Sequence, residues 1–100
     1  MPIFSSKESV DKLIVSPGDR CVSIGPSRNI WNVVEVLPGS QTPLEGSYPG
    51  TYVPQADERR VVLQCTQGRD EGKQQTIYEG EIRQAVLAMR MMYFGKTIAE

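Results

Sequence analysis

Ile30-Trp31-Asn32-Val33-Val34-Glu35-Val36-Leu37, residues 30–37, decides the fold of this chain. In an extended backbone Trp31, Val33 and Leu37 point one way and Ile30, Val34 and Val36 the other, so both faces carry apolar load. β-Branched and aromatic side chains fit a pleated, half-buried surface. A strand that is apolar on both faces belongs in the middle of a sheet.

Reading outward, Arg20 to Ile24 alternates, with Val22 and Ile24 on one face and Cys21 and Ser23 on the other, and Gly25-Pro26-Ser27-Arg28-Asn29 supplies loop chemistry between the two strands. Ser16-Pro17-Gly18-Asp19 precedes them as a turn, because Pro presets φ and Gly accepts the positive φ of a type II turn. Ser5-Ser6-Lys7-Glu8 fits a capping box ahead of Val10, Leu13 and Ile14, which predicts a short helix over 6–13. The first two strands therefore fill 19–37.

On the other side, residues 38–58 hold Pro38, Pro43, Pro49 and Pro54 with Tyr48 and Tyr52. Connections in compact domains run to about 4–6 residues, and structureless ones beyond about 12–15 are more often a binding loop, a lid or a disordered excursion. Arg60 to Thr66 then reads as a third strand, Gln67 to Gly72 as a hairpin connection and Lys73 to Tyr78 as a fourth strand, a second hairpin over 59–78. Thr76-Ile77-Tyr78-Glu79 repeats the capping-box pattern. Ile82, Ala85, Val86, Met89 and Tyr93 recur at helical spacing, which predicts a helix over 79–94 stopped by Gly95. The expectation is one α+β domain over 1–100: a small antiparallel, partly open β-barrel of four to five strands with a short N-terminal and a C-terminal helix.

Gly18-Asp19-Arg20, Trp31-Asn32-Val33-Val34-Glu35-Val36 and Val61-Val62-Leu63 together resemble the pattern of SH3-like or Tudor-like small barrels over Pro17 to Tyr78. Barrels similar to these occur in phage head-to-tail connectors and prophage accessory proteins. The resemblance implies a binding or ring-assembly role.

The chain has 100 residues, 11 basic against 12 acidic, and a formal net charge of -1, so no global field draws it to nucleic acid or anionic lipid. Arg20, Arg28, Arg59, Arg60 and Lys73 are scattered among acids and read as ordinary surface charge. No apolar run approaches the roughly 18 residues of a membrane span. The N-terminal sequence lacks the apolar core of a signal peptide, so a cytoplasmic location is expected. Cys21 and Cys65 read as small buried hydrophobes.

Histidine is absent. A Ser-His-Asp or Cys-His arrangement is therefore impossible, and two cysteines alone do not make a tetrahedral zinc site. Asp57-Glu58 and Asp70-Glu71 lack the glycine-punctuated spacing of a calcium loop, and no phosphate-cradling motif is present. No catalytic residue, cofactor, metal or small-molecule substrate is indicated. Trp31 reads as core, with a binding groove as the alternative.

What remains is contact surface. Tyr48, Pro49, Tyr52 and Val53 lie in a segment that cannot form its own core, and tyrosine offers large contact area at low entropic cost. Met91, Met92 and Phe94 fall off the core stripe of the expected last helix, as an interface or as a deeply buried terminal helix. The expected function is a non-catalytic module that binds a protein partner or copies of itself. The alternatives are a phage or prophage structural component and a nucleic-acid-binding barrel.

Overall fold

The computed structural model describes residues 3–4, 7–24, 28–39, 57–95 and 97–98. Tyr48, Pro49, Tyr52 and Val53 lie outside the described residues. In chain order the elements are β1 (Ile3–Phe4), α1 (Lys7–Asp11), β2 (Leu13–Ile14), β3 (Arg20–Ser23), β4 (Asn29–Leu37), β5 (Arg60–Gly68), β6 (Gln74–Tyr78), α2 (Glu79–Leu87), β7 (Met91–Phe94) and β8 (Thr97–Ile98). This is a small α+β fold. An antiparallel sheet in the order β1-β7-β3-β4-β5-β6 packs against two helices, and β2 pairs separately with β8.

Residues 30–37 lie in β4, which is flanked by β3 and β5. Its two apolar faces have a local cause. Val33 pairs with Leu63 but Glu35 with Val62, so Val34 is an extra residue on β4, a bulge that reverses the alternation. Ahead of it Trp31 and Val33 are buried; beyond it Val36 packs on the core while Val34 is exposed. A second irregularity, with Ile30 opposite Gln67 and Trp31 opposite Cys65, leaves Thr66 as the extra residue on β5.

One face of the sheet carries Cys21, Trp31, Val33, Val61, Leu63, Cys65 and Tyr93, and α1, α2 and the segment after α1 close it with Val10, Leu13, Val15, Ile82 and Val86. Each fully buried aliphatic side chain contributes on the order of 1.5–3 kcal/mol relative to exposure.

The C-terminal helix is shorter than its periodicity predicts. It ends at Leu87, and Met91, Met92 and Phe94 lie on a strand, not on a helix. The apolar stripe holds through Ile82, Ala85 and Val86, but Tyr93 reaches the core by strand alternation. Helix propensity is a weak prior, and pairing of Arg20 to Ser23 with Phe94 to Met91 gives β3 a hydrogen-bonded neighbour that a longer helix would have denied it. The helix stops in a Schellman motif: Arg90 N donates to Ala85 O (2.9 Å) and Met89 N to Val86 O (3.1 Å), with Met89 at φ 59, so Met89 fills the position expected of Gly95.

The start of α2 also departs from expectation. Thr76 belongs to β6 and Tyr78 is the N-cap; Glu81 accepts from Tyr78 N (3.3 Å), and Glu58 from Gly80 N (3.2 Å). The N-terminal helix is confined to Lys7–Asp11, because Leu13 and Ile14 pair with Ile98 and Thr97.

Two turns follow their sequences. Asp19 N donates to Ser16 O (3.1 Å) across Pro17 and Gly18, the latter at φ 93. At the β5–β6 hairpin, Gly72 (φ 88) donates to Cys65 O (3.0 Å) while Cys65 N donates to Lys73 O (2.9 Å), the hydrogen bonding of a bulge that needs a left-handed glycine. The long Pro/Gly stretch is pinched at its neck, where a Cβ on Gly39 would lie 1.8 Å from the Asp57 carbonyl oxygen.

Candidate functional site

A cleft of about 490 Å³ opens between the inner face of the sheet and α2. Its apolar lining is Trp31, Leu63, Ile77 and Met91 from the strands with Ala85 from the helix. Its polar lining brings Ser23, Asn29, Asp70 and Gln75 toward Glu81, Gln84 and Arg90. The volume lies within the range of about 300–1,000 Å³ typical of ligand pockets.

Trp31 serves both the core and this cleft. It is buried, and its indole Nε1 donates to Ser23 Oγ (3.2 Å), a diagonal contact that exists only because β3 and β4 pair. Asn29 and Asp70 fix the rim reciprocally: Asn29 Nδ2 donates to Asp70 Oδ2 (2.9 Å), and Asp70 N to Asn29 Oδ1 (3.0 Å). Gly68, at φ 120, permits this approach, since a Cβ there would lie 2.4 Å from Arg28 O and 2.5 Å from Asn29 Oδ1. Sequence reasoning missed the rim because its members are brought together only by the bulged β4–β5 pairing.

Two buried carboxylates lie outside the cleft and hold the frame. Asp19 Oδ2 accepts from Ser16 N (3.0 Å) and from Tyr93 Oη (2.6 Å). Burial, and then the hydrogen bond to Asp19, push the Tyr93 phenol well above its usual range. Burial, followed by the nearby Asp19 charge, pushes the Cys21 thiol up to about 12. Glu79 accepts from Val15 N (3.2 Å) and is ion-paired with Arg59 and, at 3.4 Å, with Arg83 of its own helix, tying α2 to the segment after α1 and to the residue ahead of β5.

These arrangements bear on chemistry. Cys21 and Cys65 are free and both lie opposite Trp31, one strand to each side. Two strand spacings set them about 9–10 Å apart, beyond the roughly 7 Å limit of a disulfide. A thiol held neutral by burial is a poor nucleophile. Among the described residues no three His, Cys, Asp or Glu side chains gather as metal ligands. No helix among the described residues is long and apolar enough to cross a membrane. Of the basic residues that a nucleic-acid strip would use, Arg59 is committed to Glu79 and Lys73 to Asp70 (3.3 Å).

Four exposed apolar residues flank one corner of the sheet, the Ile24–Arg90 end of the β3–β7 pairing, two on its outer face and two on the chain leading out of α2. Met92 pairs with Val22, and the ladder continues as Ile24 N donates to Arg90 O (2.9 Å), so Met92 and Ile24 share the outer face of adjacent strands. Leu87 and Met89 lie at the end of α2 that leads into Arg90. These four account for most of the exposed large hydrophobics among the described residues: Ile24 is 44%, Leu87 42%, Met92 40% and Met89 80% exposed. Of the C-terminal residues expected to meet a partner, Met92 joins this corner, half-buried Phe94 lies on the same outer face opposite Arg20, and Met91 turns inward to line the cleft. The structure thus divides residues that helical periodicity had grouped. No family model matches the chain, and neither a curated protein nor a solved structure matches it.

Proposed function

We propose that this chain is a non-catalytic protein-interaction module whose contact surface is the apolar corner built by Ile24, Leu87, Met89 and Met92. The observation that carries the reading is the exposure of Met89. A large apolar side chain sits on a left-handed residue at a helix end, where glycine would fit without strain, and it is 80% exposed. Exposed apolar side chains gathered at one place mark contact surfaces, and methionine adapts to irregular partner shapes. The cleft beside the corner adds Arg90 and Met91, so an occupant of the corner borders it.

We further infer a partly open, SH3-like curvature for the sheet, supported by the bulges at Val34 and Thr66, since bulged strands bend and twist more strongly.

The test is affinity capture from the native source with wild-type chain and with the Ile24→Glu/Met92→Glu double variant. The reading expects a partner retained by wild type and lost by the variant at equal thermal stability. Equal capture by both proteins overturns it. Sedimentation of the wild-type chain beside the double variant separates a foreign partner from self-association through the corner, since only the latter is lost in the variant.

A further inference from the structure

The sheet ends on one side at β6, residues Gln74–Tyr78. The direction of its backbone groups follows from the hairpin. Cys65 N donates to Lys73 O (2.9 Å), and at the other end Glu79 N donates to Arg59 O (3.0 Å). Because inward and outward groups alternate in an antiparallel ladder, Lys73, Gln75, Ile77 and Glu79 bond toward β5. The N–H and C=O groups of Gln74 and Thr76 therefore point away from the sheet, and no described strand pairs with them. Gln74, Gln75 and Thr76 are all exposed.

Natural edge strands are blunted by charge, proline, bulges, extreme shortness or a covering element. Gln74-Gln75-Thr76-Ile77-Tyr78 contains neither a charge nor a proline, its pairing with β5 is regular from Gln74 to Tyr78, and its first three residues are uncovered. At the opposite end of the sheet, β1 is only two residues long.

We propose that β6 pairs antiparallel with β6 of a second copy of this chain, about a two-fold axis that sets Gln75 opposite Gln75 of the second copy. This register is the one in which both outward-facing residues find partners. Gln74 exchanges its two hydrogen bonds with Thr76 of the second copy, and Thr76 exchanges its two with Gln74 of the second copy. A register centred on Thr76 would instead call on Tyr78 N, which already donates to Glu81 (3.3 Å). Self-pairing also requires an uncharged strand, since any charge at the centre would meet its own copy, and like charges directly opposite are destabilising. The central side chain is an amide, which both donates and accepts and so pairs with its copy. Gln75 lines the cleft, so Gln75 of the second copy borders each cleft in the dimer. The inference stands on a different surface from the apolar corner, and each can fail alone.

The test uses the full chain with Gln75→Cys, under mild oxidation, beside Glu71→Cys as a control on the hairpin turn. A central pair outside the ladder hydrogen bonds brings its Cα atoms to about 4.5 Å, within reach of a disulfide. The native Cys21 and Cys65 are buried and give little background. The expected result is a disulfide-linked dimer from Gln75→Cys and none from Glu71→Cys. In sedimentation the wild-type chain should dimerise with rising concentration. Thr76→Pro removes an outward donor and no bond to β5, so it should weaken that dimer by about tenfold or more. A wild-type chain that stays monomeric at every concentration overturns the proposal, and so does a dimer whose Gln75→Cys form does not cross-link. Should Thr76→Pro fail to fold, the cross-linking result decides alone.

Discussion

The phenol of Tyr93 donates a hydrogen bond of 2.6 Å to the carboxylate of Asp19, both residues being fully buried. The contact joins β7 to the turn that starts β3, and Asp19 also receives the Ser16 N–H. Tyr93→Phe removes one donor to a buried charge, and a stability loss of about 1–3 kcal/mol is expected in urea denaturation. Asp19→Ala should cost more, because it removes the carboxylate that accepts from both the Tyr93 hydroxyl and the Ser16 amide.

Met89 offers an opposite sign. Its φ of 59 strains any side chain, and a non-glycine residue there costs about 1 kcal/mol. Met89→Gly should therefore raise stability by about that amount, measured by thermal or urea denaturation, while weakening capture of a partner. A stabilised variant that binds less well would identify Met89 as a residue held for contact at the expense of the helix end.

Gly68 and Gly72 both have positive φ but different surroundings. A Cβ at Gly72 meets nothing within 4 Å, so Gly72→Ala should lose about 1 kcal/mol from the backbone alone. At Gly68 the same Cβ collides with Arg28 O and with Asn29, so Gly68→Ala should lose about 2 kcal/mol or more and disturb the rim of the cleft. Paired denaturation curves, with Trp31 fluorescence reporting on the cleft, check the difference.

Alkaline pH should unfold the protein through Cys21. Its thiol titrates at 9.0 in an ordinary setting and at about 12 when folded, so the folded state holds the proton more tightly. The associated stability is complete below pH 9 and falls between about pH 9 and 12, by up to about 1.4 kcal/mol per pH unit for this group. Tyr93, raised in the same direction, adds to the fall. In a Cys21→Ala chain the slope of stability against pH over this window should be shallower; an unchanged slope would assign the loss elsewhere.

Strands β3 to β6 were legible because their signals are local. Val22 against Cys21 and Val61 against Val62 alternate within single segments, and Pro17-Gly18 and Gly72 punctuate them. The bulge at Val34 was not legible, since an apolar residue on each face of β4 reads as a central strand whether or not the alternation reverses. Helical spacing misplaced Met91, Met92 and Phe94 because Tyr93 satisfies the core stripe of a helix and the inward position of a strand equally well. Only the unpaired side of β3 decides between them. The cleft is built by that same pairing, and β2 depends on its pairing with a strand of two residues, which no local pattern announces.

The most direct measurement is hydrogen exchange of the full chain with and without a captured partner, read residue by residue. The interaction reading predicts new protection at Val22 to Ile24 and at Leu87 to Met92, the segments that carry the apolar corner, with the β4–β5 centre unchanged. Protection confined to other segments, or no change on adding the partner, would contradict it.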